Sequence, residues 1–194
     1  MSDELRERDQ REVGDRGLTL VSLLGTGHRS RTWLAVDGAA GLCVVRRIAG
    51  TSPLEQVSLL RRLTCLQSLQ DPSLLAPAQA WVEGGAIWVA RSHDPGVSLR
   101  RLTAVARLTP AQVAAVGTDV LAGVSALHVA GLTHGNLHPG NILMSDQGRA
   151  RITDIGLRAA GLEEAPTPPH QAASEADQRD DLEATAAAMR AALV

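Results

Sequence analysis

The chain has 194 residues, 44% of them apolar, and a net charge of −2; it is long enough for one domain or two small lobes with a real core, and nothing in its charge favours nucleic acid or an anionic membrane. Phe and Tyr are absent, Trp33, Trp81 and Trp88 are the only aromatics, and all 19 basic residues are Arg, so packing rests on Leu, Val, Ile and Ala, and chemistry that needs a lysine ammonium is excluded whether or not codon bias in a GC-rich genome is the cause. Two cysteines, Cys43 and Cys65, are too few for a disulfide scaffold, and the charged start and the lack of an apolar run near the ~20 residues that span a bilayer predict a cytoplasmic chain without membrane insertion.

Residues 1–16 mix six acids with four arginines and predict a flexible charged tail or a short exposed helix, with a partner-binding helix as the sharper alternative. Leu18 to Val36 reads as two strands around Gly25-Thr26-Gly27, and Gly41 to Ile48 as a third. Ser52-Pro53 opens a helix carrying Leu59, Leu60, Leu63, Leu66 and Leu69 at 3–4 spacing. Leu74 to Ala90 gives two more strands about a hairpin turn at Glu83-Gly84-Gly85. Val97 to Leu102 and Thr109 to Gly131 read as helices. In the second, Thr109-Pro110 is an N-cap with Pro at the first helical position, and Val113, Val116, Val120, Leu121, Val124 and Leu127 form an apolar stripe. Gly131 to Met144 and Arg149 to Leu157 flank a polar turn at Ser145 to Gly148. Arg158 to Gln171 is Pro-rich, with Thr167 as its one hydroxyl, and Asp181 to Leu193 reads as a last helix.

His134 to Asn141 spells His-Gly-Asn-Leu-His-Pro-Gly-Asn, and Asp154-Ile155-Gly156 follows the polar turn. This resembles the catalytic loop and metal-binding segment of protein kinases, His-Arg-Asp-Leu-Lys-Pro-x-Asn and Asp-Phe-Gly. Gly25-Thr26-Gly27, with Ser30 and Thr32 after it, resembles the family's glycine-rich loop, whose bare backbone approaches phosphates. Arg46 on the third strand takes the place of the phosphate-anchoring Lys, Arg62 that of the helix Glu which pairs with it, and Arg91 the gatekeeper place. Ala173-Ser174-Glu175 resembles a worn Ala-Pro-Glu, and Asp181 the acid that braces the catalytic loop. The resemblance is to the bacterial Ser/Thr kinase type, covers about residues 18 to 193 and lacks the family's last helices. It implies an α+β, two-lobed kinase-like fold: a small antiparallel-sheet N-lobe with one helix at 17–95, behind the tail at 1–16, and a shortened helical C-lobe at 96–194.

For function, the resemblance implies retention and loss together. Gly25, Gly27, Arg46, Asn141, Leu143 and Asp154 are the implied nucleotide-binding set, with Asn141 and Asp154 as magnesium ligands if a nucleotide binds. Both also have structural readings, Asn141 holding the loop and Asp154 capping the turn after it. Asn136 stands at the catalytic Asp, and an amide has no useful proton affinity. His138 stands at the loop Lys, while Arg46 and Arg62 are like charges that cannot form the family's ion pair. The expectation is therefore a pseudokinase: no enzyme, no cofactor beyond a weak ATP and magnesium interaction, and a scaffold or regulatory role through protein contacts. The expected partner is another protein, or a second copy meeting the shortened C-lobe. The alternatives are a nucleotide-binding switch without phosphotransfer and a different transferase chemistry on the same fold.

Overall fold

The computed structural model describes residues 2–155, 157 and 174–193. They form two compact units, residues 2–67 with 77–93, and residues 68–76 with 94–155, 157 and 174–193. The expected α+β architecture is present: a sheet unit with one helix of the expected kind, and a mainly helical unit.

The first unit holds α1 (Ser2–Gly14), β1 (Leu18–Thr26), β2 (Ser30–Asp37), β3 (Gly41–Ile48), α2 (Pro53–Gln67), β4 (Gln79–Glu83) and β5 (Ala86–Ser92). The strands make one antiparallel sheet in the order β1-β2-β3-β5-β4. Strand side chains alternate between faces, so Cys43, Val45 and Arg47 share one face of β3 and Val44, Arg46 and Ile48 the other. Register places Trp33 opposite Val45, Ala90 on its other side, and Trp88 between Arg47 and Trp81. All three tryptophans therefore lie in one buried cluster with Leu18, Leu20, Ala35, Cys43 and Val13. Trp81 and Trp88 stack at 6.1 Å, and the chain's whole aromatic content is spent on this face.

Residues 2–14 correct the expected tail. They form α1, and its Asp9, Glu12 and Val13, at helical 3–4 spacing, turn towards that cluster. Register puts Arg31 of β2 directly opposite Arg47 of β3, a like-charge pair that opposes sheet formation. Asp9, fully buried, accepts from Arg31 Nε at 2.7 Å and Nη2 at 2.6 Å and from Trp33 Nε1 at 3.0 Å. Glu12 accepts from Arg47 Nε at 2.9 Å and Nη2 at 3.1 Å and from Trp88 Nε1 at 3.2 Å. The Asp9 hydrogen bonds, followed by its charge and that of Glu12, outweigh burial and raise the Arg31 pKa. Gln10 bridges the Leu18 carbonyl and the Leu20 amide at 2.8 and 2.7 Å, binding groups of edge strand β1 that would otherwise face water.

Helix α2 starts where Ser52-Pro53 predicts. The Ser52 amide donates to Glu55 Oε2 at 2.6 Å, and the Glu55 amide donates to Ser52 Oγ at 3.3 Å, a capping box. The bond from the Ser52 backbone, and then that from its side chain, hold the Glu55 pKa below its usual value. Leu63 and Leu66 are its buried residues.

The second unit holds β6 (Val97–Ser98), α3 (Leu99–Val105), α4 (Pro110–Val129), a 3-10 turn (Pro139–Asn141), β7 (Ile142–Met144), β8 (Ala150–Ile152) and α5 (Glu175–Leu193). Its sheet runs β6-β7-β8, antiparallel. Leu74 joins it by a parallel bridge to Ile152, which is why residues 68–76 belong here. Thr109 and Gln112 close a capping box at the start of α4. A Cβ on Gly123 would lie 3.0 Å from Leu74 Cδ2 and 3.1 Å from Ile152 Cδ1, so glycine lets α4 seat against that bridge.

Helix α4 has the length and apolarity of a membrane span, where the sequence reading expected none. Its Val113, Val116, Val120, Val124 and Leu127 are buried within the unit. Between α4 and α5 runs a groove lined by Leu121, His128, Val129 and Leu182 among others. The expected activation segment, Arg158 to Gln171 with Thr167, lies outside the described residues, as do Gly156 and Ala173.

Candidate functional site

In the second unit, the loop from Leu132 to Asn141 is built around two buried polar side chains, His134 and Asp181, at 0% and 2% exposure. Helix α4 ends at Val129, and Gly131, at φ 71°, turns the chain. Asp181 of α5 then accepts the amides of His134 at 2.8 Å and Gly135 at 2.9 Å, one on each carboxylate oxygen, and lies 3.1 Å from His128 Nε2. The brace implied for Asp181 is thus a carboxylate holding two successive loop N–H groups. A positive φ of 72° at Gly135 is what points both amides the same way.

His134 is fixed from both ring nitrogens. Nδ1 accepts the Asn136 amide at 3.2 Å, so Nε2 bears the proton and donates to the Thr153 carbonyl at 3.0 Å. Burial pushes its pKa below the ordinary 6.5, against the opposing pull of the Thr153 carbonyl and the Asp181 and Asp154 charges. Below pH 6.5 the unfolded chain takes up a proton that the folded chain refuses. Stability from this group is therefore complete above pH 6.5 and falls on acidification by up to ~1.4 kcal/mol per pH unit. The check is an NMR titration of the His134 ring beside urea unfolding at pH 7 and 5.5. A ring that titrates at or above 6.5 would contradict it.

Asn136, half-buried, is held by its main chain. Its N–H goes to His134, and its carbonyl accepts Asn141 Nδ2 at 2.9 Å. The loop shape is independent of the side chain at 136, which carries the chemistry. Asn141 therefore does what its structural reading expects, and the same bond commits Nδ2 and leaves Oδ1 as an oxygen donor. Thr153 donates its amide to the Asn141 carbonyl at 2.9 Å, which brings Asp154 next in chain to that side. Asp154 has φ 60°, the only positive φ outside glycine among the described residues, and Asp is among the few residues that accept it. Two hard oxygen donors on adjoining segments suit magnesium, which takes one or two protein ligands and fills the rest with phosphate oxygens and water. Leu143 of β7 is half-buried, on the strand face opposite the buried Ile142 and Met144.

His138 accepts the Gly140 amide on Nδ1 at 3.0 Å and so caps the 3-10 turn. That bond requires an unprotonated Nδ1, so the ring carries its proton on Nε2.

In the first unit, Gly27 is closely approached by the rotatable Ser30 hydroxyl. Its amide donates to the Ser30 carbonyl at 2.8 Å, and a Cβ there would meet Ser30 Oγ at 2.7 Å. Gly25 is not: nothing lies within 4 Å of its Cβ position. Arg46 Nη2 donates to Ser30 Oγ at 3.2 Å, which ties the third strand to the end of the glycine turn. Arg62, half-buried on α2, has no ion pair among the described residues. The residues that sequence reasoning missed are Asp9 and Glu12. The available signals were their spacing with Val13 and two arginines that strand register would set face to face.

The family model of the protein kinase domain matches residues 18–174. Among curated proteins, the chain is similar to the serine/threonine-protein kinase PkaB of Streptomyces coelicolor, 28% identical over 158 residues and spanning 76% of this chain and 38% of that protein. It is also similar to serine/threonine-protein kinase 4 homolog A of Dictyostelium discoideum, 23% identical over 78% of this chain and 33% of that protein. The chain thus spans little more than a third of the length of these relatives. Among solved structures, the Mycobacterium tuberculosis PknI kinase domain superposes with a TM-score of 0.70 at 22% identity, over 91% of this chain and 74% of that one. Rad53 in complex with AMP-PNP superposes with a TM-score of 0.77 at 18% identity, over 98% of this chain and 52% of that one.

These matches correct the expectation that the chain is no enzyme: the family model and the serine/threonine kinases among its relatives point to an enzyme fold, of the bacterial Ser/Thr kinase type. That expectation rested on the joint replacement of the family's Asp, Lys and Glu by Asn136, Arg46 and Arg62. A general base contributes about 10²–10⁴-fold, whereas phosphoryl transfer draws mainly on positioning and charge, so losing the base slows such a reaction without abolishing it. With a kinase-domain match across most of its length and the catalytic loop built on Asp181, this chain belongs to the protein kinase domain family.

Proposed function

We propose that the chain binds ATP with magnesium and transfers the terminal phosphoryl group to a Ser or Thr hydroxyl, at a rate held about 10²–10⁴-fold down by the amide at Asn136. The observation that supports this reading is the Asn141 bond to the Asn136 carbonyl, which leaves Oδ1 of Asn141 as an oxygen donor on the segment that bonds Thr153, the neighbour of Asp154. When bound, magnesium would neutralise charge on the phosphates. The chain's own part is orientation: Asp181 holds the loop, and Asn136 can accept or donate a hydrogen bond to the acceptor hydroxyl but cannot remove its proton. In the first unit, Arg46 supplies a guanidinium in place of an ammonium, with a bulkier, planar charge.

The test is a thermal-shift series with ATP and magnesium, joined to ADP release and mass spectrometry of a Ser/Thr peptide. A nucleotide at 100 times its Kd adds about 2.7 kcal/mol of stability. Asp154→Asn keeps the left-handed backbone preference and removes the charge, so it is expected to cut the magnesium-dependent part of the shift and the ADP release together. No shift at millimolar ATP with magnesium, and no ADP, would sink the reading.

A regulatory contact with another protein is a second reading, favoured by the α4–α5 groove, where Leu121, Val129 and Leu182 are 45%, 87% and 47% exposed. Leu182→Glu should then weaken capture of a partner, or self-association in light scattering, without changing nucleotide binding.

A further inference from the structure

Three arginines on α3 and the stretch after it have no ion pair among the described residues, and one of them stands beside the catalytic loop. From Pro95 to Thr118 the chain carries Arg100, Arg101 and Arg107 and no Asp or Glu. Between Gly131 and Asn141 there is no carboxylate either. The acids that bracket the first stretch are already used. Asp94 accepts from Arg151 at 3.0 Å, and Asp119 accepts from Arg149 at 2.9 and 2.8 Å and from the Ala150 amide at 2.9 Å. Arg100, Arg101 and Arg107 are exposed and form no ion pair among the described residues.

Arg100 reaches the loop itself. A Cβ on Gly140 would lie 3.7 Å from Arg100 Cζ and 2.8 Å from His138 Cε1. The guanidinium therefore sits over the glycine that closes the 3-10 turn, in the same unit as Asn136. With Gly at 140, no side chain from that position stands between the guanidinium and whatever passes over the loop. A peptide whose hydroxyl approached Asn136 would bring neighbouring residues past a fork of N–H donors suited to a carboxylate.

We propose that the acceptor substrate is an acidic peptide segment, with Asp or Glu within a few residues of the Ser or Thr, recognised by Arg100. Arg101 and Arg107 add attraction at longer range, which salt weakens. This rests on the phosphoryl-transfer reading for the role of the hydroxyl, but the binding preference can be measured without turnover.

The experiment uses the full chain and two fluorescent Ser peptides that differ only in Glu or Arg flanks, read by anisotropy at low and at physiological salt. The acidic peptide is expected to bind about tenfold tighter, the size of one charge-assisted contact. Arg100→Ala should remove most of that difference, Arg100→Glu should reverse it, and Arg61→Ala, on exposed α2 surface, should leave it intact. Equal affinity for the two peptides would overturn the proposal, as would an equal loss in the Arg61 variant or equal binding of a single-stranded oligonucleotide of the same charge. Thermal shift with ATP and magnesium on the same samples separates the two claims. A nucleotide response without peptide preference refutes only the acidic substrate; preference without nucleotide response or transfer leaves an acidic-peptide site and refutes the phosphoryl-transfer reading.

Discussion

Asn136→Asp is expected to raise phosphoryl transfer by about 10²–10⁴-fold, measured as kcat with the KM for ATP unchanged. Asn and Asp are close in size, and this backbone is held by the His134 ring and the Asn141 amide rather than by its own side chain, so the loop should not move. What changes is one group: an amide that cannot take a proton becomes a carboxylate that can. Because the base acts only in the transition state, the gain belongs in kcat and not in ground-state binding. A second change separates this from a general effect of charge. Asp154→Asn in the Asn136→Asp background should cancel most of the gain if the two act on the same reaction. A gain below about threefold would mean that something other than the missing base limits the rate, with Arg46 in place of an ammonium the first suspect.

Asp9→Ala is expected to cost the first unit about 3–5 kcal/mol, the usual result of leaving a buried charge without its partner. The loss removes both oxygens of the carboxylate that joins Arg31, Trp33 and, at 3.5 Å, Arg47. It leaves two guanidinium groups opposite each other in register, one of them on a residue only 5% exposed. All three tryptophans lie in the adjoining cluster, so their fluorescence during urea unfolding reports on this unit directly. Glu4→Ala, on the exposed surface of α1, should stay within about 0.5 kcal/mol of the parent. A cost for Asp9→Ala under about 1 kcal/mol would mean that α1 is an ornament on the sheet and not a part of it.

Much of the fold was legible because its signals are local. Ser52-Pro53 and Thr109-Pro110 started helices where their caps placed them. The hairpin turns and strand alternation predicted five strands, which pair as one sheet, and the roles of Asp181 and of the loop from His134 to Asn141 came through the family resemblance. What local signals could not give was the consequence of pairing. Residues 1–16, judged alone, have the composition of a solvated tail. Two of their acids, Asp9 and Glu12, turn inward because β2 and β3 align Arg31 with Arg47, a register decided by residues far along the chain. The expectation of no enzyme was overturned by the kinase-domain match, while the kinase-like fold behind it stands. The loop keeps its shape through bonds to main-chain groups at position 136 that are the same whatever the side chain, so a changed residue there alters the rate without unmaking the loop.

The sequence by itself determined the family resemblance, the α+β order of elements, the exclusion of lysine chemistry and the amide at the base position, since each depends on residue identity and spacing along the chain. Only the tertiary structure decided that α1 is part of the sheet unit, that His138 is a cap with its Nδ1 occupied, and that Arg100 lies over Gly140 beside the loop. These depend on which groups meet when strands and helices pack, and a side chain's charge acquires its meaning from the partners that packing brings within hydrogen-bonding distance.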